Sequence, residues 1–150
     1  MNHWLMKTEP TTFSIDHLAK QKVSHWEGVR NYAARNFMRD GMKAGDEILI
    51  YHSNCLPPGI AGLARVHREA YADHFAMDPK SKYFDPKASK EKPIWMMVDV
   101  EFVKKLPRFI PLDELKKRPE LAGMEVLRTG SRLSVQPVSE AHFKLILGFV

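Results

Sequence analysis

From Ile94 the chain alternates, with Ile94, Met96, Val98, Val100 and Phe102 on one side and Asp99 and Glu101 on the other. A period of two predicts a strand with one buried face. The unbroken apolar run "ILIY" (Ile48–Tyr51) predicts instead a strand buried on both faces, entered through a turn at Gly45-Asp46 and broken by Pro57-Pro58-Gly59. "HWLMK" at the start predicts a short first strand. "IAGLARVHREAYA" (Ile60–Ala72) predicts a longer one, in which the small Ala61, Gly62 and Ala64 allow close backbone approach or a bulge.

Helices announce themselves by their caps. Ser14 is placed to cap "IDHLAKQ", with Phe13 and Leu18 as an apolar staple, and Ser139 to cap "EAHFKLILGF", with Val138 and Phe143 in the same relation. Asn31 opens a helix through "YAARNFMRD" that Gly41 stops, and Pro111 begins another in "PLDELKK". Between Asp73 and Lys92, "MDPKSKYFDPKASKEK" has two Asp-Pro pairs and scattered apolar residues, which predicts a long ordered loop or a mobile flap. Many short strands and few helices predict an α+β fold built as a small β-barrel with short helices packed around it. An open parallel sheet would need helical crossovers that the middle of the chain lacks.

Composition narrows this to one domain spanning residues 1–150, since 44% hydrophobic residues supply a single core. No internal repeat or interdomain linker interrupts it. Cys55 is the only cysteine, which excludes an intrachain disulfide and a cysteine-based zinc site and suits a reducing compartment. The N-terminus has no basic start followed by a long apolar run, and no stretch approaches the roughly 20 apolar residues that span a bilayer. The expected location is cytoplasmic, or nuclear in a eukaryote, with no membrane partner.

Chemistry adds little on the enzymatic side. His52 and Cys55 in "YHSNCLPPG" could pair as base and nucleophile, but no carboxylate stands nearby to orient them, and a lone cysteine also reads as a small buried hydrophobe. The seven histidines show no metal-ligand spacing, and no Walker loop, GxGxxG or GxSxG occurs, so no metal and no cofactor is expected. Asp113-Glu114 sits where acids favour a helix start.

Charge points to binding. The chain carries +5, and between Lys20 and Lys43 six basic residues (Lys20, Lys22, Arg30, Arg35, Arg39, Lys43) face two acids (Glu27, Asp40). That concentration suits a polyanionic partner. Within "HWEGVRNYAARNFMR", Trp26 lies just before Gly28, which suggests a loop offering an aromatic face to a base. Such stacking is worth roughly 1–3 kcal/mol per base; the competing reading is a core tryptophan. Arg30, Arg35 and Arg39 recur near helical spacing, and the helix opening at Asn31 offers free amides for a phosphate. The competing readings are a solvated helix face and a simple cap.

"KTEP" (Lys7–Pro10), "WEGVRNYAARN" (Trp26–Asn36), "GDEILIYHS" (Gly45–Ser53), "PGIAG" (Pro58–Gly62), "DPKSKYFDPK" (Asp78–Lys87), "WMMVDV" (Trp95–Val100), "PEL" (Pro119–Leu121) and "RLSVQPV" (Arg132–Val138) occur in this order. Together they resemble the EVE domain family over essentially the whole chain. The family usually has serine where this chain has Thr8, and often glutamine where it has Ala33. The resemblance implies a PUA-like pseudo-barrel and a non-catalytic reader of modified bases in DNA, with modified cytosines as the leading ligands; some relatives act on RNA.

On that reading a flipped base would stack on Trp26, with Tyr83 as a second aromatic wall if the Asp78–Lys87 loop closes over the pocket; the alternative is Tyr83 packed inward. Asn31, Ser53, Ser134 and Gln136 would meet the edge of a cytosine, with Tyr51 also in the pocket. Lys7, Arg30, Arg35 and Arg132 would hold flanking phosphates. The alternatives are a module for modified or structured RNA and a small hydrolase or nucleotide-modifying enzyme using Cys55 or His52.

Overall fold

The computed structural model describes residues 1–150. Six strands, β1 (His3–Thr8), β2 (Val23–Trp26), β3 (Glu47–His52), β4 (Gly59–Ala72), β5 (Met96–Pro111) and β6 (Val135–Val138), form one mixed sheet in the order β2-β5-β4-β3-β1-β6. Only β1 and β3 run parallel, with Leu5 opposite Leu49; every other neighbouring pair is antiparallel. The chain between the parallel strands carries α1 (Ile15–Gln21), β2 and α2 (Tyr32–Asn36), the long connection that a parallel pair requires.

Two cores lie on the two faces of this sheet. Successive strand residues point opposite ways, so Trp4, Met6, Ile48 and Ile50 join Ile15, Leu18 and Met38 on one face. Leu5, Leu49 and Tyr51 join Leu115, Phe143 and Ile146 on the other. The second face is covered by α3 (Leu112–Lys116) and α4 (Glu140–Leu147). Burying each such side chain contributes about 1.5–3 kcal/mol, so a strand between two cores gains from apolar residues at every position. That is why "ILIY" shows no alternation.

The caps form as the sequence predicts. Ser14 Oγ accepts from His17 N–H while His17 Nδ1 accepts from Ser14 N–H at 2.8 Å, a capping box with histidine in the return position. Ser139 accepts from His142 N–H and Asn31 Oδ1 from Ala34 N–H. Leu18 is buried in the first core with Phe13 packed against it, and Val138 and Phe143 share the second. The Asn31 helix keeps α geometry only to Asn36; Phe37–Gly41 continues as a π turn.

Some expectations need correction. The last alternating strand begins at Met96, so Ile94, at φ 59°, stands outside it. It also runs on to Pro111, because β4 supplies a partner back to Gly59. Gly62 marks the close approach expected in β4: a Cβ there would run into the Ile15 side chain and the Lys104 carbonyl, where the β4–β5 register slips between Ile60 and Gly62. The barrel is not closed. The hydrogen-bonded ladder ends at β2 and β6, four residues each, which pair with β5 and β1 and not with each other. No helix is long and apolar enough to cross a membrane.

Candidate functional site

A cavity of about 900 Å³ opens beyond the C-terminal ends of β1 and β3. The end of β1 brings Lys7, Thr8 and Glu9, and the turn after β3 brings Ser53 and Asn54. Trp26 closes β2, and Glu27 to Asn31 lead from it into α2. Tyr83 comes from the 78–95 loop, and Arg132 and Ser134 from the segment before β6. Because β2 and β6 are opposite edges of the sheet, it curls far enough for residues at both edges to line one cavity.

One side of the cavity is a built wall. The Arg30 guanidinium donates through Nε and Nη2 to the Tyr83 carbonyl, at 3.3 and 2.8 Å, and through Nη1 to the Val29 carbonyl and to Asp73 Oδ2, each at 3.0 Å. Asp73 is fully buried, and its carboxylate also accepts from Gly28 N–H and Phe75 N–H. The Arg30 cation lies 5.4 Å from the Tyr83 ring and 5.3 Å from the Trp95 ring. Trp95 Nε1 donates to Asp85 at 2.8 Å, and this bond, with the Lys87 amide, holds the Asp85 carboxyl below its usual range. The Tyr83 ring lies so close to Gly28 that a Cβ there would stand 2.5 Å from it, and Gly28 has φ +83°. The loop that could have been a mobile flap is thus pinned at both ends of its aromatic segment, with Tyr83 both packed on Gly28 and exposed to the cavity.

The other side is open. Arg132 is exposed and Ser134 half-buried, and the Ser134 carbonyl accepts from Lys7 N–H at 2.9 Å, fixing β1 beside the β6 approach. Lys7 Nζ lies 5.8 Å from the Tyr51 ring. Burial lowers its pKa, and the field of Glu125 opposes that shift. Ser53 is placed by its amide, which donates to the Thr8 carbonyl. Thr8, where the family usually has serine, donates its hydroxyl to the Phe13 carbonyl, a bond either side chain could make.

Seven of the eleven candidate residues from the sequence lie beside Arg30 or across from it: Lys7, Trp26, Asn31, Ser53, Tyr83, Arg132 and Ser134, all of which line the cavity with Arg30 itself. Trp26 is not on a loop. It ends β2, opposite Val98, with 8% exposure and its ring edge-on to Phe13, so only a small part of it faces the cavity. Asn31 spends its Oδ1 on the Ala34 amide, which leaves that amide closed to a phosphate. Arg30 is a structural cation rather than a free one.

Three candidates fall outside the lining. Tyr51 points into the second core, 3% exposed, where burial pushes its phenol up to about 12. Gln136 is buried and donates to the Leu133 carbonyl at 2.8 Å. Arg35 donates to the Ile94 carbonyl and to Asn36 on the outer side of α2. For the enzymatic alternative, His52 Nε2 accepts from Ile15 N–H at 3.1 Å and burial lowers its pKa, so its acceptor nitrogen is already in use at the start of α1. The Cys55 thiol donates to the Pro57 carbonyl.

Sequence reasoning passed over Glu9, Glu27, Asn54 and Lys82, which also line the cavity. Asn54 Nδ2 donates to Glu9 Oε1 at 2.7 Å, and Glu27 pairs with His25 at 3.3 Å. Glu9, Glu27 and Lys82 sit inside "KTEP", "WEGVRNYAARN" and "DPKSKYFDPK", three of the segments that carried the resemblance. That was the available signal.

Fold and cavity together define an α+β domain that presents a polar, basic recess with aromatic residues in its wall. The chain belongs to the EVE domain family, whose sequence model matches residues 2–149. It is 44% identical to human thymocyte nuclear protein 1 over 97% of this chain and 72% of that protein. A hypothetical protein from Leishmania major superposes with a TM-score of 0.95 at 56% identity, covering 99% and 94% of the two chains. A crystal structure of human THYN1 protein in complex with 5-methylcytosine containing DNA superposes with a TM-score of 0.93 at 43% identity, covering 99% and 97%.

Proposed function

We propose that this chain is a non-catalytic reader of modified cytosine in DNA, which holds a single base, flipped out of the duplex, in the cavity beyond β1 and β3. The observation that carries this reading is the cavity itself: large enough for a nucleotide, walled by Trp26 and a pinned Tyr83, and flanked by Lys7, Lys82 and Arg132. Its support from comparison is the 43% identical human protein in complex with 5-methylcytosine containing DNA. The PUA-like pseudo-barrel belongs to the same reading. Strands β4 and β5, 14 and 16 residues long with repeated register shifts, curl the sheet so that its two edges border one recess.

The energetics are those of exchange. Unstacking and unpairing a base costs a few kcal/mol, recovered by stacking and by hydrogen bonds to the base edge. Tyr83 and the exposed margin of Trp26 supply the stacking surface. Ser53, Ser134 and Glu9 supply hydroxyl and carboxylate groups for an edge that carries an amino donor and acceptors. A single extra methyl contributes about 0.8 kcal/mol, roughly fourfold in affinity, so marked discrimination requires that the methyl be enclosed by a wall that does not yield. The pinning of Tyr83 by Arg30 and Gly28 meets that requirement.

The test is fluorescence anisotropy with matched oligonucleotides carrying cytosine, 5-methylcytosine or 5-hydroxymethylcytosine, as DNA and as RNA, at one salt concentration. Tighter binding of a modified DNA probe, with the preference lost in Trp26→Ala while the variant still folds, is the expected result. Equal binding of all probes would overturn the reader; tighter binding of RNA would replace it with an RNA-binding module.

A further inference from the structure

Tyr32 is one residue beyond the cavity-lining Asn31, yet it keeps 58% of its surface exposed. It is not a loose side chain. Its ring stacks on Trp95 with centroids 4.8 Å apart and planes inclined by 30°, and Trp95 beneath it is only 5% exposed and anchored to Asp85. The Arg35 guanidinium lies 4.9 Å from the same ring and is itself tethered to the Ile94 carbonyl at 2.9 Å. The Arg30 cation, 5.3 Å from Trp95 and 5.4 Å from Tyr83, continues the layering inward. Tyr32, Trp95, Arg30 and Tyr83 are therefore linked by one run of aromatic and cation–π contacts whose inner end is the cavity wall and whose outer end is an exposed tyrosine beside an arginine.

We infer that the Tyr32–Arg35 surface is a second nucleic-acid contact, a platform on which a nucleotide flanking the cavity-bound one stacks. An exposed aromatic ring held rigid by a buried indole, with a fixed cation at its side, matches what an unstacked base and its phosphate need: a flat apolar surface and a positive charge, without sequence preference. Continuity with the basic cavity selects the occupant. A base displaced when its neighbour flips loses a stacking partner and finds another within the same layered array. The inference rests on the reading of the cavity as a nucleotide site, but it makes a different demand: the platform adds affinity and not selectivity.

The experiment uses the whole chain and short duplexes with 2-aminopurine placed on either side of a 5-methylcytosine or of an unmodified cytosine. In the complex with the parent protein the aminopurine at one flanking position is expected to stay quenched although its neighbour has left the stack, and Tyr32→Ala is expected to relieve that quenching and raise its fluorescence. The same variant is expected to weaken binding of modified and unmodified probes alike by roughly fivefold or more, with an unchanged melting temperature. Tyr32→Trp is expected to restore both signals. Unchanged affinity and quenching in Tyr32→Ala would overturn the platform. Failure of the cavity reading is separately visible, as equal affinity of the parent for modified and unmodified probes, and aminopurine quenching then still reports on Tyr32.

Discussion

The two sides of the cavity carry similar charge and use it in opposite ways. On one side Arg30 has every nitrogen engaged by Asp73, Val29 or Tyr83. On the other, Arg132 is exposed and Lys7 is half-buried with a lowered pKa. A cation that is already bonded positions a wall, and a cation left to solvent is available to a ligand phosphate. Residue type does not distinguish them, because the distinction lies in which carboxylates and carbonyls the fold brings within reach.

Removing the buried anchor of the wall should have the largest effect. Asp73→Ala leaves the Arg30 cation without its carboxylate partner and the Gly28 amide without its acceptor, and it is expected to cost about 3 kcal/mol of stability. Urea unfolding measures this, and an unchanged midpoint would mean that the wall does not depend on Asp73.

A smaller effect is expected across the cavity. Arg132→Ala should leave stability unchanged and reduce the slope of log affinity against log salt by about 0.9, the contribution of one phosphate contact. Arg30→Lys should leave that slope in place and lower the preference for the modified base, because an ammonium cannot reproduce the fork that holds Tyr83. Equal changes in slope for both variants would erase the contrast between the two sides.

The smallest effect separates Lys7 from Arg132 on the open side. Burial places the Lys7 pKa below its usual 10.5, so its charge is lost at a lower pH than that of an exposed lysine, while a guanidinium stays charged throughout. Affinity contributed by Lys7 is therefore present below the lowered pKa and falls as pH rises through it. DNA titrations at increasing pH should show this decline in the parent and not in Lys7→Arg; a decline that persists in the variant would assign it elsewhere.

The misread residues share a cause. Trp26 looked like a loop residue because Gly28 follows it so closely; it ends β2 instead, held by a partner, Val98 on β5, more than seventy residues away. Tyr51 and Gln136 sat in segments that belong beside the cavity, but their side chains turn away from it. In a sheet with a core on each face, no alternation of polar and apolar residues tells which face a position takes. Arg35 was grouped with Arg30 by helical spacing, whereas the helix turns it toward Ile94.

The sequence by itself determined what depends on neighbours along the chain. Ser14, Asn31 and Ser139 cap their helices, Gly45-Asp46 turns and "ILIY" is buried, because caps and turns close within four residues and burial follows from apolar content. The family, too, was legible in eight ordered segments. Only the tertiary structure decided that the sheet stays open, that its two edges border one cavity, and that Arg30 is bonded while Arg132 is free. Those outcomes rest on contacts such as Arg30 with Asp73 and Gly28 with Tyr83, separated by more than forty residues. Contacts of that range form only once the whole sheet has set their distance.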